Sequence, residues 1–210
     1  VHSMQSCCIP MSSNSAELSQ HFSKRFSTVF ELESGHVTKM KAHLILKQGA
    51  QPVFCKARLV SLGAKQVVDD ELDRLLSIGV IRKVDYTLWA APIVVVTKKN
   101  GTPRVCADFS TGLNSALELD RHPLPRPDEI FAKLNGSKIF SQLDLRDAYL
   151  QVELTDFSKR LVGINTHRGL FQYERLPFGV KSAPGIFQKL IEQLIAGLPG
   201  FQGYLDGIIV

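Results

Sequence analysis

Apolar residues recur every fourth position at Leu18, Phe22, Phe26 and Phe30, and this spacing predicts a helix over residues 17–30. The Ser-rich residues 1–15 before it read as a flexible lead-in. Residues 37–46 alternate roughly and predict a strand, and residues 52–62 an extended connector. A second helix is expected over 67–76, with acids at its start, Leu72, Leu75 and Leu76 on one face and Gly79 as its stop. Ile93-Val94-Val95-Val96 reads as a buried strand that returns through residues 104–108, with Asn100-Gly101 as the turn. Pro127 suits the first turn of a helix over 128–134. Residues 139–145 predict a strand running into a helical turn. Residues 161–165 and 170–175 predict a hairpin around His167-Arg168-Gly169. The longest helix is expected over 182–196, closed by Gly197, and residues 202–210 read as a terminal hairpin. Helices mixed with hairpins, and no internal repeat, argue an α+β fold.

Composition narrows this picture little. The chain has 210 residues, 44% of them hydrophobic, enough for one large domain or two small ones. The net charge of +5 is compatible with a phosphate-backbone partner and equally with none. Cys7, Cys8, Cys55 and Cys106 form no metal-binding spacing and read as reduced thiols. No 18-residue apolar run suggests a membrane span. Val1-His2-Ser3-Met4 has neither an initiator methionine nor a signal-peptide core. The chain is therefore expected to be part of something longer, cytoplasmic and not secreted.

Candidate chemistry centres on Tyr204-Leu205-Asp206-Gly207. Alone it reads as a hairpin in which Asp-Gly takes the positive backbone angles of a tight turn. Apolar neighbours on both sides would hold the Asp206 carboxylate rigidly at an exposed tip, which suits a metal ligand. Two further blocks precede it: Phe140-Ser141-Gln142-Leu143-Asp144-Leu145-Arg146-Asp147-Ala148-Tyr149-Leu150-Gln151, and Leu176-Pro177-Phe178-Gly179-Val180-Lys181-Ser182-Ala183-Pro184-Gly185-Ile186-Phe187-Gln188. With Trp89-Ala90-Ala91-Pro92 and His122-Pro123-Leu124-Pro125, the ordered set resembles the reverse transcriptase of gypsy-like long-terminal-repeat retrotransposons, over residues 37–210.

The resemblance implies the fingers and palm of a right-hand polymerase: fingers over 36–119 and 152–181, and palm over 120–151 and 182–210. It implies RNA-directed DNA polymerase activity with two Mg²⁺ ions about 3.5–4 Å apart, or Mn²⁺ in their place. Asp144 and Asp206 would be the catalytic carboxylates, and the Leu145 carbonyl would help hold the second metal. The alternative for Asp144 is a helix cap after a strand. Tyr149 would lie under the incoming sugar and exclude a 2′-hydroxyl; its alternative is a core tyrosine. Lys98 and Arg104 would reach the triphosphate, and Lys98 is equally a solvated hairpin charge. Phe178 and Gly179 would pack near the nucleotide. Lys181, at the start of the long helix, suits phosphate or is simply exposed. Asp108 reads as structural, and Asp147 as a surface or capping residue. The implied partners are an RNA or DNA template with primer, dNTPs, and the thumb and RNase H segments of a parent polyprotein, in a retroelement particle or the cytosol.

One departure stands out. Gly207 occupies the place of the family's second turn aspartate. Its loss predicts activity lowered by about 10² or more, the scale for removing a key electrostatic group. The sequence ends three residues after the turn, so on the resemblance a thumb is expected to be absent. Poor duplex affinity and an ill-paired, aggregation-prone strand over 208–210 are therefore expected. The alternative function is a catalytically dead nucleic-acid-binding fragment, or a relic without activity.

Overall fold

The computed structural model describes residues 13–30, 35–97, 103–120 and 122–210. Most of the lead-in, the Asn100-Gly101 turn and Lys98 lie outside the described residues. The chain divides into two units, Val1–Glu33 and Ser34–Val210. In the first, α1 (Ser13–Arg25) is followed by a 3-10 turn at Ser27–Val29. The helix starts and stops earlier than its apolar period suggests. Leu18, Phe22, Phe26 and Phe30 are all exposed, so no burial extends it through Ser27-Thr28-Val29, residues of modest helix preference.

The second unit runs β1 (Val37–Ala42), α2 (Leu62–Ser77), β2 (Ile81–Val84), β3 (Ala91–Thr97), β4 (Pro103–Ala107), α3 (Leu113–Ala116) and α4 (Pro127–Lys133). It continues through β5 (Gln142–Asp144), β6 (Val152–Leu154), α5 (Asp156–Lys159), β7 (Gly163–Thr166), β8 (Gly169–Tyr173), α6 (Ala183–Ile195), β9 (Gln202–Tyr204) and β10 (Gly207–Ile209). Among the described residues these strands form three sheets. The largest has five strands in the order β2-β8-β7-β3-β4, a second has the order β5-β10-β9, and β1 pairs with β6 in parallel.

Burial explains most of these elements. Val68, Leu72 and Leu75 recur at helical spacing on α2 and enter the core, and Gly79, at φ +66, ends that segment. On α6, Ile186, Phe187, Leu190 and Ile191 do the same. The β7–β8 hairpin pairs Thr166 with Gly169, so His167 and Arg168 form a two-residue turn. That turn docks on α2: His167 Nε2 lies 2.9 Å from Asp69 Oδ1, and Arg168 Nη1 lies 2.7 Å from Asp73 Oδ1.

Several expectations are corrected. Val96 is half-exposed, because β3 runs beyond the core with the edge strand β4 beside it. The strand before Asp144 spans only Gln142–Asp144, with Ile139 and Phe140 exposed ahead of it. β2 and β6 were not anticipated: β2 is a short strand without alternation, and β6 has only three residues, although Val152 and Leu154 alternate with Glu153. The last strand does not lack partners. β10 is the central strand of its sheet, paired antiparallel with β5 on one side and β9 on the other. Ser141 and Val210 extend the ladder, each donating its N–H to the other's carbonyl at 2.9 Å.

Candidate active site

The three-stranded sheet brings two distant carboxylates to one end. Asp144 is the last residue of β5, and its ladder partner on β10 is Gly207. Asp206 immediately precedes Gly207 in the β9–β10 turn, and its carbonyl accepts the Leu145 N–H at 2.9 Å. The segments carrying Asp144 and Asp206 are thus fastened to each other by backbone. Antiparallel partners face the same side of a sheet, so Asp144 and Gly207 share one face. Asp144 is exposed, and its Oδ1 accepts from Gln142 Nε2 at 2.9 Å.

The turn differs from the expectation. Tyr204 pairs with Gly207, so Leu205 and Asp206 are its two central residues. Leu205 carries the positive φ of 53, and Gly207 has no positive φ. Gly207 therefore serves as the first residue of a strand, where backbone geometry does not demand glycine. The glycine that packing does require is Gly203, where a Cβ would lie 2.2 Å from Ile191 Cγ2 on α6.

Asp206 opens onto a cleft of about 610 Å³, also lined by Leu145, Arg104 and Phe178. Arg104, on β4, lays its guanidinium over the Phe178 ring at 4.6 Å from the centroid. Tyr149 stands between aromatic neighbours, with ring centroids 4.8 Å from Phe178 and 5.2 Å from Phe187. Burial, and then the Asp206 carboxylate, push its phenol above the ordinary value. Gly179 has φ +90, and its carbonyl accepts from Asn114 Nδ2 at 2.8 Å. The Asn114 Oδ1 in turn accepts the Lys181 N–H at 2.9 Å. Lys181 thus lies in the loop before α6, not in the helix.

Two residues with other expected roles, or none, also shape the cleft. Asp147 is half-buried in a left-handed conformation with φ 48, and its Oδ2 accepts from Arg74 Nη1 at 2.9 Å. That engagement adds to the capping position that Asp147 holds at the start of the 3-10 turn Ala148–Gln151. Arg74, from α2, also makes a two-pronged pair with Glu71 at 2.8 and 2.9 Å. Its hydrogen bonds to the Glu71 and Asp147 carboxylates hold the guanidinium well above its ordinary value despite desolvation. Its i, i+3 spacing from Glu71 was visible in sequence, but its reach to Asp147 was not. Asp108 plays the structural part expected of it. Ser110 and Arg58 hydrogen-bond its carboxylate and hold its pKa below the ordinary range.

Comparison with known proteins agrees with this architecture. The family model for reverse transcriptase (RNA-dependent DNA polymerase) matches residues 96–210, and the chain belongs to that family. Among curated relatives, an uncharacterized Caenorhabditis elegans protein is 49% identical over 187 residues, covering 88% of this chain and 15% of that protein. The Tf2-3 transposon polyprotein of Schizosaccharomyces pombe is 33% identical over 150 residues, covering 70% of this chain and 11% of the polyprotein. The domain is thus a reverse transcriptase domain with retrotransposon polyprotein relatives, and it spans only a small part of their length. The prototype foamy virus protease-reverse transcriptase shares the fold, with a TM-score of 0.83 at 21% identity over 96% of this chain and 27% of that one. A foamy viral protease-reverse transcriptase solved in complex with an RNA/DNA hybrid superposes with a TM-score of 0.82 at 21% identity, over 95% of this chain and 27% of that one. No described helix is long and apolar enough to cross a membrane.

Proposed function

We propose that this chain is the nucleotidyl-transfer portion of a gypsy-like long-terminal-repeat retrotransposon reverse transcriptase, weakened at its metal site. The observation that carries the reading is the meeting of Asp144 and Asp206 at one end of a three-stranded sheet, beside a cleft that Arg104 and Phe178 also line. On this reading the five-stranded sheet belongs to the fingers and the β5-β10-β9 sheet to the palm. The template–primer, dNTPs and the rest of the polyprotein are the partners, and a retroelement particle or the cytosol is the setting.

The donor set fits a hard divalent cation, since Asp144, Asp206 and the Leu145 carbonyl offer only oxygen. Magnesium, or manganese in its place, would supply the charge that activates the primer hydroxyl and stabilises the leaving oxygens. The chain's own groups do the rest. Arg104, oriented by Phe178, meets the triphosphate as a fixed cation. Tyr149, wedged between Phe178 and Phe187, forms a rigid wall against the sugar and discriminates against a 2′-hydroxyl. Lys98 serves as a second triphosphate contact.

A second reading, a nucleic-acid-binding domain without catalysis, draws on the lack of a side chain at Gly207, opposite Asp144. Template-directed nucleotide incorporation separates the two. The first reading expects slow incorporation that disappears in Asp144→Asn and Asp206→Asn. Incorporation unchanged in those variants sinks the site assignment, and duplex binding without any incorporation favours the second reading.

A further inference from the structure

The turn that carries Asp206 needs an anchor, because its first central residue, Leu205, is a bulky side chain held at φ 53. That anchor is on α6. Gln188 is fully buried, at 0% exposure. Its Oε1 accepts the Leu205 N–H at 3.0 Å, and its Nε2 donates to the Gly203 carbonyl at 3.0 Å. The same Nε2 donates to Glu192 Oε1 at 2.9 Å, one helical turn further on. Glu192 Oε2 lies 2.8 Å from His122 Nε2, in the loop before α4. The Gln188 amide can point only one way, because a flipped amide would set NH₂ against the Leu205 N–H and oxygen against the Gly203 carbonyl. Both amide protons and the oxygen are thereby engaged, and a fully satisfied buried polar group specifies one geometry.

We propose that Gln188 is a positioning residue for the catalytic turn, locking the Leu205–Asp206 backbone so that Asp206 stays beside Asp144, and that the Glu192–His122 pair orients its amide. The inference deepens the polymerase reading and rests on it for its catalytic meaning. The backbone lock itself requires no metal. Gly203 serves the same arrangement, since only a residue without Cβ lets β9 approach α6 closely enough for Gln188 to reach both backbone groups. A hydrophobic residue of similar length at 188 would fill the same volume and keep the helix, yet leave the Leu205 N–H without its acceptor, while Gln202 Nε2 still donates to the Gly203 carbonyl.

Amide hydrogen exchange of Leu205 in the full chain tests the lock, alongside urea unfolding and Mn²⁺ affinity. Gln188→Met and Glu192→Leu are compared with the shape-conserving Glu192→Gln. Losing one buried hydrogen bond should speed Leu205 exchange by about five- to tenfold beyond any change in global stability. Mn²⁺ binding should weaken by about 10- to 100-fold, as for lost outer-shell partners. Glu192→Gln should keep parental exchange. Glu192 is partly exposed, so Glu192→Leu carries the test if Gln188→Met does not fold. Unchanged Leu205 protection in a folded Gln188→Met, or in Glu192→Leu should Gln188→Met not fold, overturns the proposal. A parent chain that binds no Mn²⁺ counts against the metal reading, while Leu205 exchange still decides the lock.

Discussion

Gly207 lies directly across the β5–β10 ladder from Asp144, and a Cβ built on it would sit 3.6 Å from Asp144 Oδ1. The other nearest atoms, the Leu143 carbonyl oxygen and Gln142 Nε2, are at 3.4 and 3.9 Å, so a side chain fits there. With no positive φ at this position, Gly207→Asp should fold normally. A restored carboxylate beside Asp144 should raise Mn²⁺ affinity by about tenfold or more, measured by calorimetric titration. Without metal, the added like charge should leave the urea midpoint unchanged or slightly lowered.

Gly203→Ala should be costly at a different place. Its Cβ would meet Ile191 Cγ2 at 2.2 Å, and β9 or α6 must then shift. Overpacking of this kind costs about 1–3 kcal/mol, to be read from chemical denaturation. The same variant should loosen the Asp206 turn and lower metal affinity beyond what the stability loss accounts for.

These two glycines show what the sequence could and could not disclose. The motif blocks made Asp144, Asp206, Tyr149 and Phe178 legible as candidates, and the resemblance added Arg104; the structure brings them around one cleft or one sheet end. The helices over α2, α4 and α6 were legible because their apolar faces are buried at helical spacing or marked by Pro and Gly. The turn conformation was not. Asp-Gly is a strong local signal, but pairing of Tyr204 with Gly207 moves the turn one residue earlier and puts the positive φ on Leu205, where Gln188 holds it. Likewise β10 looked ill-paired because β5, the second strand that flanks it, lies more than fifty residues upstream. Long-range pairing of that kind leaves no periodic trace. Arg74 escaped notice because its reach to Asp147 depends on the left-handed backbone at Asp147.

Arg104→Lys should not be a conservative change. Lysine keeps the charge but loses the planar contact with Phe178 that fixes its direction. Nucleotide KM should rise by about tenfold while kcat changes less, as expected for a lost cation–π contact and a less organised triphosphate contact. Phe178→Leu should produce a similar KM effect through the same pair.

Acid should destabilise the fold through Asp108 and Glu153. Hydrogen bonds from Ser110 and Arg58 lower the Asp108 pKa from 3.8, and those from Lys41 and Lys159 lower the Glu153 pKa from 4.5. Groups with depressed folded values contribute stability that is present above their ordinary pKa and lost as pH falls through the folded one. Thermal midpoints should therefore fall below about pH 4. Arg58→Ala should flatten the part of that acid limb due to Asp108, and an identical limb in this variant would contradict the assignment.

The central claim is that this is a polymerase site short of one carboxylate. Its most direct test is single-nucleotide incorporation on a primed RNA template by the parent chain, Gly207→Asp, and Gly207→Asp combined with Asp144→Asn. The account predicts a rate increase of about 10² on restoring the aspartate, lost again when Asp144 is replaced. A Gly207→Asp chain that folds and binds duplex but incorporates no faster than the parent would contradict it.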